Sequence, residues 1–463
     1  MIDIIEEHHN SSSIAIYQDD LCISYKELNN KVNNFFVNLQ TSTICLIIGS
    51  NTINTIAFYI ACLRRECIPL LLSPSMSKYY LDIYIKNYKP TYIFSEPELI
   101  NGATGKEDYT ITELVKTKLK SRLIPSLLLT TSGSTGNPKV VKITKKNLVS
   151  NTKDIINYLK INNNSRHITT LPINYTYGLS CINTHLFSGG SIILNNYSII
   201  QKDFWDLVNR YNPSSISGVP YTYELLYRLG LSKLNLESIK IFTQAGGKLS
   251  PEILKHFFDY CNKHGKEFIV MYGQTEATAR MSYLPYKNLK AKLGSIGLPV
   301  PSGSFTLVDT SKYDSISNNK VGELVYKGPN VSAGYAENFL DLEISGEEKQ
   351  ILYTGDLAYI DKEGFTYLCG RKKRFAKLNG IRVSLDDVES CINVHIKSIA
   401  ISDDKFIHIF IERNDEIDDT LMSKLKESLK NFNIPIIVYK FKIIDSFPRS
   451  QSGKIKYSEM LKS

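Results

Sequence analysis

No Cys-x-x-Cys pair occurs in this sequence. Its eight cysteines, at 22, 45, 62, 67, 181, 261, 369 and 391, are scattered. That excludes a redox dithiol or a zinc site built on such pairs and points to reduced thiols. No apolar run comes near the ~18 residues of a membrane span; runs such as Ile56–Leu63 fall far short. The opening MIDIIEEHHNSSS is acidic and lacks the basic and apolar regions of a secretory signal. None of the eight histidines (8, 9, 167, 185, 256, 264, 395, 408) stands at ligand spacing, and no Ser/His/Asp arrangement is visible. Repeats and low-complexity tracts are missing too. Together these absences predict a cytoplasmic protein without a membrane span.

What is present is ordinary globular material. Apolar residues make up 43% and charged residues 22% of 463 positions, values that exclude disordered, collagenous and coiled-coil chains. At roughly 100–200 residues per domain, two or three domains are expected. The charge is 55 − 46 = +9, spread as diffuse lysine. A nucleic-acid binder concentrates its cations on one face, and the strongest run here is only Arg371-Lys372-Lys373-Arg374. No nucleic-acid partner is expected.

Helical and strand-like segments alternate from about residue 26. Helices are predicted over 25–39, 53–64 and 78–86, with strands at 43–48, 67–72 and 92–95. Strands without polar alternation are buried on both faces, and their order implies a parallel sheet under helices. The pattern resumes after 126, with helices at 203–211 and 222–229, strands at 214–218, 239–243 and 268–272, and a capped helix opening at Ser250-Pro251-Glu252. Residues 285–370 read as a small β-rich layer. A compact α+β segment follows, with helices at 385–391 and 421–432 and strands at 398–402 and 406–412. The fold class is therefore α/β: a large N-terminal domain of parallel-rich sheets with helices and a small β-rich layer, then a small mobile α+β domain.

One segment carries chemistry directly. The apolar strand 126–129 runs into Thr130-Thr131-Ser132-Gly133-Ser134-Thr135-Gly136-Asn137-Pro138-Lys139. Small residues let backbone N–H groups approach an anion, hydroxyls add donors, and the lysine can follow phosphate oxygens. It is not a Walker A loop, because the Gly133–Gly136 spacing is short and no Gly-Lys-Ser/Thr follows. A Walker-type NTPase is thereby excluded.

TTSGSTGNPK resembles the signature loop of the adenylate-forming superfamily: acyl-CoA synthetases, adenylation domains of non-ribosomal peptide synthesis, and luciferases. Further blocks follow in the family's order: Gln244-Ala245-Gly246-Gly247, Met271 to Thr278 (MYGQTEAT), Gly294 to Gly297, Tyr353-Thr354-Gly355-Asp356, Gly370 to Lys373, Lys377 to Gly380, and Pro448 to Lys454. The resemblance covers nearly the whole chain. It implies ATP-dependent conversion of a carboxylic acid to an acyl-adenylate with release of pyrophosphate, then transfer to a thiol.

By that resemblance, Thr131, Ser132, Gly133, Ser134, Thr135, Gly136 and Lys139 cradle the ATP phosphates. Thr275 contacts the α-phosphate, and Glu276 holds Mg²⁺. An acid beside polyphosphate makes sense only with a cation between them. Gly246, Gly247, Tyr272 and Gly273 frame the adenine, and Asp356, expected in a turn, holds the ribose hydroxyls with Arg371. Lys454 is the mobile catalytic lysine. Lys373 is the hinge within 371–373, between an AMP-binding domain at 1–370 and a lid at 374–463. Lys377–Gly380 resembles the lining of a pantetheine tunnel.

The acyl pocket is expected at Tyr175, Gly218, Ala245 and Gly246. Amino-acid adenylation domains carry an aspartate in the block Leu171–Gly178, where this chain has Tyr175, or Asn174 in a slipped register. Leaving an ammonium unpaired there would cost several kcal/mol, so an acid without an α-amino group is favoured. The thiol is coenzyme A or the phosphopantetheine of an acyl carrier protein. A cationic enzyme would be steered toward an acidic carrier. Two alternatives stand beside this: a stand-alone amino-acid adenylation enzyme that loads a carrier, and a non-catalytic nucleotide-binding relative. Two departures from the family pattern are Val140 after Lys139, where glycine is usual, and Arg374-Phe375-Ala376 after the hinge.

Overall fold

The computed structural model describes residues 2–96, 109–114, 117, 119, 125–130, 139–312, 316, 319–343, 350–372, 374–378, 381–403, 405–413, 417–430, 436–449, 453 and 455–460. Two compact units are present: residues 1–304 with 326–352, and residues 305–325 with 353–463. The β-rich residues 305–325 and 353–370 thus group with the C-terminal segment, ahead of the boundary expected at 371.

The first unit is built on two sheets. In the seven-stranded sheet the order is 335–336, 140–143, 127–130, 68–72, 44–48, 92–95, 110–113. Strands Ile44–Ile48 and Ile68–Leu72 are buried at every residue and pair in parallel, as their unbroken apolar runs predict. The nine-stranded sheet runs 298–299, 282–284, 267–272, 241–244, 215–218, 166–168, 191–194, 14–18, 21–24. Its central strands are parallel, with Gly218 opposite Gln244 and Gln244 opposite Val270.

Helix boundaries follow local chemistry. Ser24 and Glu27 form a capping box on Tyr25–Phe36, and Thr52 caps Ile53–Arg64. Pro251–His264 starts behind the Ser250 cap and stops at Gly265, which takes φ +63°. Helices Lys145–Leu159 and Thr176–Phe187 fall in segments for which no helix is predicted from sequence. In the second, every residue from Thr176 to Leu186 is buried, so no polar face marks its period.

The second unit holds most of a four-stranded sheet in the order 304–308, 321–327, 351–360, 366–371, together with a hairpin 375–378/381–384 and a three-stranded sheet 398–402, 407–412, 439–444. Helices Leu385–Ile392 and Asp419–Leu429 cover the last sheet through Val388, Ile392, Leu425 and Leu429, all buried.

Candidate active site

Strands Leu127–Thr130 and Val140–Ile143 pair antiparallel, with Thr130 opposite Val140. The two ends of the hydroxyl-rich loop are therefore pinned side by side. Val140 is fully buried and also pairs with Ala336. That explains a branched apolar residue where the family usually has glycine. Thr131, Ser132, Gly133, Ser134, Thr135 and Gly136 lie outside the described residues. Lys139 leaves the hairpin and places Nζ 2.5 Å from Glu337 Oε1, both side chains about half exposed. An exposed pair of this kind is worth at most about 1 kcal/mol, so a polyphosphate can displace it.

The second piece is a tight turn at the end of strand Glu267–Tyr272. Met281 N donates to Tyr272 O at 2.8 Å, closing the turn on itself. A Cβ on Gly273 would sit 1.8 Å from the Ala279 carbonyl oxygen, so only glycine fits there. Thr278 is buried at φ +67°, a region that branched residues avoid. Its hydroxyl donates to Asn330 O at 2.7 Å, and Asn330 Nδ2 in turn donates to Ala277 O and Arg280 O. Strain and buried hydrogen bonds together fix the turn's shape.

Thr275 and Glu276 stand on this turn. Thr275 Oγ1 is 3.1 Å from Thr176 Oγ1 at the start of helix Thr176–Phe187. Glu276 Oε1 accepts from Tyr335 Oη at 2.6 Å, and its backbone oxygen accepts from Ser332 N. Tyr335 pairs with Val141, and Glu337, two residues on, holds Lys139. The short strand Tyr335–Ala336 thus ties the lysine of the phosphate loop to the carboxylate of the turn. A carboxylate fixed by one phenol is the kind of oxygen ligand that suits a magnesium ion. Sequence reasoning missed Tyr335, Glu337 and Thr176, whose roles exist only through pairings distant in the chain.

Parallel strand ends supply the rest of this unit's site, the usual place for ligands in such sheets. Gly246 takes φ +86°, and Gly247 packs where a Cβ would lie 3.0 Å from Pro220 Cγ. Tyr272 ends the neighbouring strand, and its Oη accepts from Gln274 Nε2 at 3.2 Å. A Cβ on Gly218 would strike Thr222 and Tyr223 at 2.8 Å. Ala245 packs with Tyr177, Val219 and Met271, and Tyr175 lies against the same cluster. Asn174 Oδ1 is buried without a hydrogen-bond partner among the described residues.

A residue the sequence reading did not single out sits in this wall. Arg280, at the base of the turn, is 1% exposed. Its guanidinium carbon stacks 4.3 Å from the Tyr177 ring centre.

In the second unit, Arg371 Nε donates to Asp356 Oδ1 at 2.9 Å, the two residues being directly opposite on adjacent strands. Asp356 lies within strand Ile351–Ile360 and not in a turn; Gly355 before it takes φ +72°. Its side chain is 5% exposed while that of Arg371 is 64% exposed. Lys372 pairs with Glu323 at 2.5 Å, and Arg374 pairs with Asp386 and Glu389. Three of the four cations in the basic run are therefore matched to acids. Lys373 and Lys454 lie outside the described residues, as do Asn379 and Gly380.

Residues 6–336 match the family described as AMP-binding enzyme. The chain belongs to that family. It is 26% identical to the oxalate–CoA ligase of Saccharomyces cerevisiae, over 94% of this chain and 79% of the relative. It is 27% identical to a long-chain-fatty-acid–CoA ligase of Escherichia coli O157:H7, over 81% and 68%. The fold matches o-succinylbenzoate CoA synthetase of Bacillus subtilis in complex with its acyl-adenylate intermediate, with TM-score 0.79, 22% identity and 100% and 98% of the two chains covered. ATP-bound MatB from Rhodopseudomonas palustris matches with TM-score 0.79 and 21% identity, over 99% and 97%. Family membership makes this AMP-binding enzyme an ATP-dependent, AMP-forming ligase.

Proposed function

We propose that this AMP-binding enzyme activates a small carboxylic acid without an α-ammonium group as its acyl-adenylate and passes the acyl group to coenzyme A. The observation that supports the reading is the single frame of Lys139, Glu337, Tyr335 and Glu276, which links a cation and a carboxylate far apart in the sequence. Activation means attack of the acid's carboxylate oxygen on the α-phosphorus, with pyrophosphate leaving. Such a step needs alignment and charge neutralisation more than covalent help from the protein.

Lys139 leaves Glu337 for the phosphates, and Thr275 donates its hydroxyl to an α-phosphate oxygen. Glu276 would hold a magnesium ion, which would supply charge neutralisation at the phosphates. Asp356 and Arg371 hold the ribose, residues 131–136 cradle the phosphates, and Lys454 approaches the α-phosphate from a lid that turns about Lys373. Coenzyme A is favoured as acceptor by the CoA ligases among the relatives. A carrier-protein phosphopantetheine is the alternative acceptor, and the enzyme works in the cytoplasm. A second reading, an amino acid as substrate, has one observation in its favour: the unpartnered Asn174 Oδ1 could accept from an ammonium. An amide oxygen offers no formal charge to that group, so the first reading stands ahead.

The test is pyrophosphate release across a panel of acids, with and without coenzyme A. Release that depends on a carboxylic acid is expected, and formation of a coenzyme A thioester with it. Nucleotide binding by calorimetry without release for any acid would make the chain a non-catalytic relative.

A further inference from the structure

We propose that Arg280 receives a second carboxylate on the substrate, so that this enzyme takes dicarboxylic acids; the inference rests on the ligase reading above and deepens it. Two other guanidinium groups drawn out of solvent have acids for partners. Arg64, with a side chain 7% exposed, places Nε 2.7 Å from Asp3 Oδ2. Arg374 is paired with both Asp386 and Glu389. Arg280 is more deeply buried than either side chain, yet no carboxylate pairs with it among the described residues.

Its partners are weak. Nη1 donates to Tyr158 Oη at 3.2 Å and Met271 Sδ at 3.2 Å; Nη2 donates to Ser180 Oγ at 3.0 Å and Cys181 Sγ at 3.5 Å. Two of these four acceptors are sulfur, a poor acceptor, and Nε has no hydrogen-bond partner among the described residues. Neither neighbouring phenol supplies a negative charge. Burial pushes Tyr158 and Tyr177 up despite the nearby guanidinium. An uncompensated buried cation costs several kcal/mol, and stacking on Tyr177 returns only about 2 of them. This is the electrostatics of a receptor awaiting an anion.

The location fits the acid. Arg280 closes the turn that carries Thr275 and Glu276, four residues from the latter. Its neighbours Tyr177, Cys181 and Met271 belong to the wall formed with Ala245, and Cys181 Sγ is 3.3 Å from Ser217 Oγ, next to Gly218. Asn151 Nδ2 and Asn330 Nδ2 both donate to Arg280 O, which fixes the base of the side chain. One carboxylate of the substrate would meet the phosphates at Thr275 while the other meets Nε and Nη of Arg280 as a charge-assisted pair.

Pyrophosphate exchange with a series of straight-chain dicarboxylic acids, each beside its monomethyl ester, tests this on the wild-type chain. The diacid of the fitting length is expected to exceed its ester by about 100-fold or more in kcat/KM, because the ester leaves the cation unpaired. Arg280→Met, close in length and apolar, should collapse that ratio toward unity mainly through KM. An ester exchanged as well as its diacid by the wild type, or a preference that survives Arg280→Met, would overturn the inference while leaving the ligase reading intact. Should no acid support exchange, the ligase reading fails and the inference is judged by binding of the same pairs. A diacid must then raise the melting temperature where its ester does not, and the absence of such a difference would overturn it.

Discussion

Glu276 shows at the residue scale how one side chain joins distant segments. Its carboxylate is held by Tyr335, 59 positions along the chain, and Glu337, just beyond that short strand, is the partner of Lys139. Glu276→Gln keeps the shape and removes the charge proposed to hold a magnesium ion. Adenylate formation should fall on the order of 100-fold or more, with the magnesium concentration for half-maximal rate raised. Tyr335→Phe should cost far less, a few-fold. A magnesium dependence unchanged in Glu276→Gln would contradict the metal role. Gly273 is the other decisive position: the carbonyl 1.8 Å from a would-be Cβ belongs to the main chain and cannot rotate aside. Gly273→Ala is expected to lose about 3 kcal/mol of stability, read by denaturant unfolding; a wild-type midpoint would show that the turn yields. Glu276 was singled out from the MYGQTEAT block, and the role proposed for it comes from there, whereas Tyr335 was invisible because a strand pairing placed it there.

Elements decide the acid sensitivity of the first unit. His167, on strand Arg166–Ile168, and His185, on helix Thr176–Phe187, stack with ring centres 5.0 Å apart. Burial lowers each to about 3, with further lowering by Arg280 at His167 and by His167 at His185. Unfolded histidine titrates near 6.5, so between about 6.5 and about 3 the unfolded chain binds more protons than the folded one. Stability is therefore complete above that window and declines as pH falls through it, by up to about 1.4 kcal/mol per pH unit for each histidine. Urea midpoints at neutral and mildly acidic pH should show the loss, and His185→Gln should reduce its slope. Equal slopes in both proteins would mean the pair does not govern acid unfolding. At this scale the sequence spoke clearly where strands are apolar throughout and helices carry caps. It was silent for Thr176–Phe187, where complete burial erases the amphipathic period.

For the whole molecule, the proposed catalytic cycle has two halves that ask different things of the chain. In that proposal, adenylation would use Lys454 and thioester formation the segment near Lys377–Gly380, with 371–373 as the hinge between the two halves. Lys373→Pro, by restricting the backbone at the hinge, should spare pyrophosphate exchange and reduce thioester formation at least tenfold. Equal loss of both halves would argue against rotation at that residue.

What the sequence alone determined is the set of ordered blocks that place the chain in its family: runs of neighbouring residues such as TTSGSTGNPK and MYGQTEAT survive in one dimension. Parallel strands and capped helices were legible for the same reason, since period and cap are local. Tertiary structure alone decided which side chains complete those blocks. Tyr335 reaches Glu276, Glu337 reaches Lys139, and Arg280 is sealed among Tyr177, Cys181 and Met271 without a counter-charge. Burial and pairing across strands depend on contacts between segments far apart in the chain, and a linear pattern does not contain them.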